Sequence, residues 1–188
     1  MNDIYKLPGN EKTFPASNFL VSKTDLKGII TYANELFLEI ADYEEHELVG
    51  KPHSIIRHPE MPRCIFKLLW DTISAGEEIF AYVLNQTKLG DYYWVLAHVT
   101  PTFDNEHQLI GYHSNRRAPN REAINIIQPL YRRLKEVEDS HNNKKDGLAE
   151  SFKILTSLMK EQEMRYDMFI YEMQQLKSAE TFISKEIF

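Results

Sequence analysis

Residues 56–62 read Ile-Arg-His-Pro-Glu-Met-Pro, a cation, an imidazole, a carboxylate and two prolines within seven positions. Arg57 offers a planar fork of donors suited to carbonyl or phosphate oxygens. His58 donates when protonated and accepts when neutral, and Glu60 supplies a carboxylate able to orient either neighbour. Pro59 and Pro62 each fix φ and remove a backbone donor, so the chain is stiffened around these side chains. That combination suits a rim gripping the polar edge of a small molecule. It also suits a helix start, with Glu60 and Pro62 in the first turn ahead of Arg63, and the two readings are compatible.

The elements around this segment must position it. Phe19–Ser22 is a short apolar run, Lys23–Gly28 is turn-rich, and Ile29–Tyr32 is β-branched and aromatic, which together predict a hairpin. Asn34 sits where an N-cap belongs, ahead of a short helix over Glu35–Ile40, and a second helical turn over Glu44–Val49 is ended by Gly50. In Arg63–Ser74 the apolar residues Ile65, Phe66, Leu68, Leu69, Trp70 and Ile73 recur at helical spacing. Three strands follow, Ile79–Gln86, Tyr92–Thr100 and Leu109–Asn115. Two strands, short helices and three strands predict an α+β unit, a five-stranded antiparallel sheet with its helices on one face.

The last third differs. Arg121–Asp139 reads as a helix containing Pro129, and Ser140–Gly147 as a polar linker. Leu148, Phe152, Leu155, Met159, Gln162, Tyr166, Phe169, Met173 and Leu176 then step by four and three alternately, the pattern of one long amphipathic helix. Its stripe must be covered, either by the helix folding back on its own domain or by a partner; the expectation is an intermolecular coiled coil or docking contact. The divisions expected are an N-terminal cap over 1–18, a sensor domain over 19–117, a linker helix over 118–139 and the amphipathic helix over 147–186.

Composition excludes several classes. A net charge of −6 argues against a nucleic-acid binder, which needs a concentrated basic face. The single cysteine, Cys64, allows no internal disulfide and fits a reducing, cytoplasmic setting. No apolar run approaches the roughly 20 residues that span a bilayer, so direct membrane insertion is not expected. No P-loop, kinase or nucleophile-elbow motif is present, and no enzymatic turnover is expected.

The order of elements, with "TDLKGIITYANELF", "GKPHSIIRHPEMP", "KLGDYYWVLAHVTP" and "PLYRRL" in sequence, resembles the PAS sensor domains of the bacterial aerotaxis-receptor type. The resemblance covers Phe19 to about Leu134. It implies a PAS fold, non-covalently bound FAD, and redox or energy-taxis signalling to a chemotaxis receptor by conformational change. Receptors of that type continue into a membrane anchor, a HAMP unit and a signalling hairpin, so this chain looks most like the soluble half of a split energy-taxis receptor. The implied partner is a membrane-bound methyl-accepting chemotaxis-type receptor carrying the HAMP and signalling domains. A homodimer in the cytoplasm, held at the inner membrane through that partner, is the expected arrangement.

The resemblance also implies a site. Arg57, His58 and Glu60 match the segment that borders the flavin pocket. Asn85 and His113 fall at strand positions that meet the isoalloxazine edge in flavin-binding light-sensing relatives, and an amide such as Asn85 suits the pyrimidine carbonyl and N–H groups. His53 stands where those relatives carry an adduct-forming thiol, so adduct photochemistry is not expected; Asn34 completes the set. In the strand over Tyr92–Thr100, alternation puts Tyr93, Val95, Ala97 and Val99 on one face, the better fit to a cofactor. Where the aerotaxis type places a tryptophan after Gly-Glu-Pro, this chain has Gly76-Glu77-Glu78-Ile79-Phe80, so that aromatic wall is missing or shifted. Two alternatives stay open: a haem-binding PAS sensor, and a cofactor-free PAS dimerisation module. The helix over Arg63–Ser74 contains no histidine to ligate haem.

Overall fold

The computed structural model describes residues 7–175. The first strands, β1 (Leu20–Thr24) and β2 (Ile30–Ala33), form the expected antiparallel hairpin. Asp25 folds its turn, its Oδ1 accepting from the backbone N–H groups of Lys27 and Ile29. Gly28 completes it at φ +77° with its Cα against the Trp70 indole, where an added Cβ would lie 2.9 Å from the ring. Two short helices follow, α1 (Glu35–Ala41) and α2 (Glu45–Leu48), then a 3-10 turn at His53–Ile56 and helix α3 (Arg63–Ser74). Strands β3 (Ile79–Gln86), β4 (Tyr92–Phe103) and β5 (Leu109–Arg117) complete one sheet. Its order is β2-β1-β5-β4-β3, antiparallel throughout. The first and last strands thus lie side by side at its centre.

Helix α3 lies over the inner face of the sheet, burying Cys64, Ile65, Leu69 and Ile73. The outer face over β3 and β4 is covered by the C-terminal helices. Along α4 (Arg121–Ser140), Tyr131 packs on Trp94 and donates its hydroxyl to the Tyr82 carbonyl at 2.8 Å.

Beyond α4 the structure corrects the expected linker and single seam. Only residues 141–143 separate α4 from α5 (Lys144–Glu161), so Lys144–Gly147 is helical, with Asn143 capping it. The seam is then broken: α5 ends at Glu161, Glu163 takes φ +49°, and α6 (Tyr166–Gln175) begins anew. α5 packs on α4 and α3, while α6 packs on β3 and α4. Leu155, Phe169 and Met173 are buried, and Leu148, Phe152, Met159 and Tyr166 pack against the same core. Within the described residues the stripe packs on its own chain: the break lets each half bury its apolar face locally. Leu176 and the expected continuation to residue 186 lie outside the described residues.

Within the expected N-terminal cap, residues 7–18 dock on the sheet. Tyr92 exchanges backbone hydrogen bonds with Asn10 and Lys12, and Leu7 and Phe14 are buried. Among the described residues no helix is long and apolar enough to cross a membrane.

Candidate functional site

Between α3 and the inner face of the sheet lies a pocket of about 350 Å³, within the roughly 300–1,000 Å³ range usual for small-molecule sites. Alternation along the strands decides its floor. β3 contributes Val83 and Asn85, β4 contributes Ala97 and Val99, and β5 contributes Tyr112, Ser114 and Arg116. Phe66, Leu69, Trp70 and Ile73 of α3 form the opposite wall, with the Trp70 and Tyr112 rings edge to face at 5.5 Å. The aromatic surface of the pocket thus comes from α3 and β5. Ile79 is buried without lining the pocket, and Phe80 stacks on His98.

The segment at 56–62 is stitched to β3. Arg57 and Asn85 pair as an isolated bridge, the His58 N–H donates to the Leu84 carbonyl at 3.4 Å, and the Leu84 N–H donates to Met61 Sδ at 3.5 Å. This places Arg57 in the pocket wall, its guanidinium 3.6 Å from the centre of the Phe66 ring. Desolvation lowers the Arg57 pKa, and the Glu138 charge opposes that shift. His58 points elsewhere: it is fully buried, packs edge-on to Tyr92, and accepts from the Glu60 backbone N–H at its Nδ1. Burial lowers its pKa. Glu60 meets His58 through its main chain, and neither His58 nor Glu60 lines the pocket.

The remaining expected site residues divide. His53 lines the pocket, and its Nε2 accepts from Arg116 Nη2 at 2.6 Å, with Ser22 Oγ 3.2 Å away. Desolvation, reinforced by the Arg116 charge, drives the His53 pKa down to about 3, so the ring is neutral. Asn85 lines the pocket as expected. His113 does not: it is one residue out of phase with Tyr112, Ser114 and Arg116, and its ring bonds Asn115 at 3.3 Å on the other face. The strand's pleat turns His113 outward and puts Ser114 in the position expected of it. Asn34 is likewise outside the pocket lining. Its Oδ1 accepts from the Val21 and Phe37 N–H groups and its Nδ2 donates to the Phe19 carbonyl, so it caps α1 and ties that helix to β1.

Arg116, Ser114, Ser22, Trp70 and Tyr112 were not singled out in the sequence. The signal for three of them was present in β5, where reading the alternation from Tyr112 brings Ser114 and Arg116 onto one face.

Four residues lining the pocket carry buried polar atoms without a partner in the protein: Arg57 Nε, Asn85 Nδ2, Ser114 Oγ and Arg116 Nη1. Buried polar groups are nearly always paired, so four unpaired ones lining a single pocket mark places for ligand partners. An aromatic, largely apolar slot with donors spaced along its strand floor and at Arg57 fits a flavin, which offers carbonyl and ring-nitrogen acceptors. No group of His, Cys, Asp and Glu able to hold a metal ion occurs among the described residues.

Fold and site together point to a known architecture: residues 30–116 match the family described as PAS fold. The sequence of this chain is similar to that of the aerotaxis receptor of Escherichia coli, 41% identical over 115 residues, which are 61% of this chain and 22% of the receptor. The nitrogen fixation regulatory protein of Klebsiella pneumoniae is 27% identical over 61% of this chain and 22% of that protein. The chain thus spans less than a quarter of the length of these curated relatives. Among solved structures, a light-oxygen-voltage domain studied with a flavin analogue superposes with a TM-score of 0.52 at 20% identity, covering 60% of this chain and 84% of that one. The light state of the Aureochrome1 blue-light photoreceptor domain gives 0.51 at 22% identity, covering 60% and 88%. These two show the fold.

Proposed function

We propose that this protein is a cytoplasmic redox sensor for energy taxis, in which the PAS domain holds FAD and signals its redox state to a membrane-bound methyl-accepting chemotaxis-type receptor. The observation that carries the reading is the set of unpaired polar atoms on Arg57, Asn85, Ser114 and Arg116, all lining one aromatic-walled pocket. The similarity to the aerotaxis receptor supports the signalling class. Among the described residues His53 is the one histidine lining the pocket, and its Nε2 is engaged by Arg116, which disfavours haem ligation.

When bound, a flavin supplies reversible two-electron redox chemistry. The chain's own residues do the rest. Asn85 offers both donor and acceptor to the ring's polar edge, Arg57 adds charge-assisted donors, and Phe66, Trp70 and Tyr112 exclude water from its flat faces. On this reading the domain reports a state and does not turn over a substrate. The route outward starts at Arg57, runs through the stiff Pro59–Pro62 segment into the start of α3, and reaches α4 through Glu138, which accepts from the Arg63 and Cys64 N–H groups. A difference of about 1–3 kcal/mol between redox states is enough to bias a partner.

The test is the visible absorption spectrum of the purified full chain, with the released cofactor separated chromatographically after denaturation. A two-band flavin spectrum and FAD in the released fraction are expected. An intense Soret band, or no visible absorption after incubation with FAD, overturns the reading.

A further inference from the structure

Arg116 is an unusual residue for the floor of an apolar pocket. It is 4% exposed, and its hydrogen-bond partners are both neutral: Nη2 donates to Ser22 Oγ at 3.0 Å and to His53 Nε2 at 2.6 Å, while Nη1 has none. The guanidinium also lies 4.9 Å from the centre of the Phe37 ring, which in turn stacks on His53 at 6.1 Å. No carboxylate among the described pocket-lining residues balances it; that lining instead adds Arg57 and Lys27. A chain with net charge −6 has thus gathered three cations and no anion around one pocket.

A buried charge without a counter-charge costs several kcal/mol, and a histidine neighbour would add to the cost if it were protonated. The neutral ring of His53 avoids this: it accepts a hydrogen bond from Arg116 and leaves the positive charge uncancelled. The arrangement is therefore poised to meet negative charge brought by the ligand.

We propose that Arg116, held in place by His53 and Ser22, is the counter-charge for a ligand edge that becomes anionic, so that the pocket binds the reduced flavin ring more tightly than the oxidised one. The inference rests on the FAD reading above. Uptake of two electrons and one proton from a donor such as dithionite converts the neutral oxidised ring into one bearing a single negative charge. Arg116 lies at the pocket floor before that charge arrives, so its compensation requires no rearrangement. Arg116 is a binding residue in this scheme, and His53 and Ser22 are positioning residues.

The experiment compares the midpoint potential of FAD bound to the full chain in wild type, Arg116→Met and Arg116→Lys, by dithionite titration against a redox dye. Preferential binding of the reduced form appears as a potential above that of free FAD. Arg116→Met is expected to lose at least tenfold in the ratio of reduced-state to oxidised-state affinity, which for a two-electron couple is a fall of at least 29.6 mV. Arg116→Lys, retaining the charge, is expected to keep most of the wild-type potential. Should Arg116→Met fail to fold by circular dichroism, Arg116→Gln decides by the same criterion. An unchanged potential in a flavin-loaded, uncharged variant overturns the inference and leaves the FAD reading standing. A wild-type protein that takes up no FAD overturns that reading and the inference with it.

Discussion

The carboxylate of Glu138, midway between two helices, accepts a hydrogen bond from the backbone N–H of Cys64 at 2.9 Å, 74 residues back in the chain. Helix α3 starts without a cap of its own, because Pro62 at its N-cap has no side chain able to accept. Glu138 does that work from α4. Its other oxygen, Oε2, accepts from the Arg63 N–H at 2.9 Å and from Arg63 Nε at 3.0 Å, while Ser151 of α5 donates at 2.9 Å to Oε1, the oxygen that Cys64 binds. One fully buried side chain thereby joins three helices next to the segment that carries Arg57.

Glu138→Ala leaves the N–H groups of Arg63 and Cys64 without their acceptor, while the Ser151 hydroxyl keeps the Leu148 carbonyl. A loss of about 3 kcal/mol is expected, since an orphaned buried group costs about 1–3 kcal/mol and a lost cap about 1. Glu138→Gln, keeping one acceptor, is expected to lose about half as much. Urea unfolding followed by tryptophan fluorescence measures both, and equal losses would show that the charge and not the hydrogen-bond geometry matters.

The FAD reading gives the two asparagines different tasks. Asn34→Ala is expected to cost about 1 kcal/mol in stability, the usual value of an N-cap, with FAD affinity unaltered. Asn85→Ala is expected to weaken FAD binding about tenfold, one hydrogen bond's worth. Fluorescence titration of FAD against each variant checks the pair, and a weaker affinity in Asn34→Ala would contradict its assignment to the scaffold.

Acid is expected to destabilise the protein through His53. Its folded pKa of about 3 lies below the ordinary value of 6.5, so between these limits the unfolded chain holds a proton that the folded one does not. Stability therefore falls as pH drops from about 6.5 towards 3, by up to about 1.4 kcal/mol per pH unit from this group, and is fully present above 6.5. His53→Gln is expected to flatten the slope between pH 6 and pH 4 relative to wild type in chemical denaturation.

Cys64 is expected to be inert in the folded protein. It is fully buried, and desolvation pushes its thiol up to about 12, so little thiolate exists at neutral pH. Alkylation by iodoacetamide should be negligible in native buffer and complete in denaturant. Glu138→Ala should hasten it, because the α4–α5 contact over Cys64 is loosened.

Much of this architecture was legible because local rules agreed with one another. The bounds of α3 follow from apolar spacing between Pro62 and Gly76, and the hairpin from Asp25 and Gly28 in its turn. Asn85 and Arg57 line the pocket because a strand and a stiff segment fix where their side chains go. His113 was placed wrongly because the phase of β5 is set by its register with β4, where Thr100 faces His113, and not by anything local to the strand. The C-terminal seam shows the same limit. Its repeat runs across residues 162–165 unbroken, whereas the turn at Glu163 folds each half onto the domain, and the contacts that reward that turn lie far away in sequence. Arg116 was invisible for a different reason: an arginine near a strand end reads as solvent-exposed, and only the pleat together with α1 buries it.

The sheet order has an outcome for wiring. Because β1 and β5 are neighbours, Leu20 lies opposite Arg116, so the backbone arriving at the sheet and the backbone leaving it are laced together beside the pocket's central cation. On the proposed reading, a displacement of that cation bears on the upstream and downstream segments together, as a coupling in a shaft would.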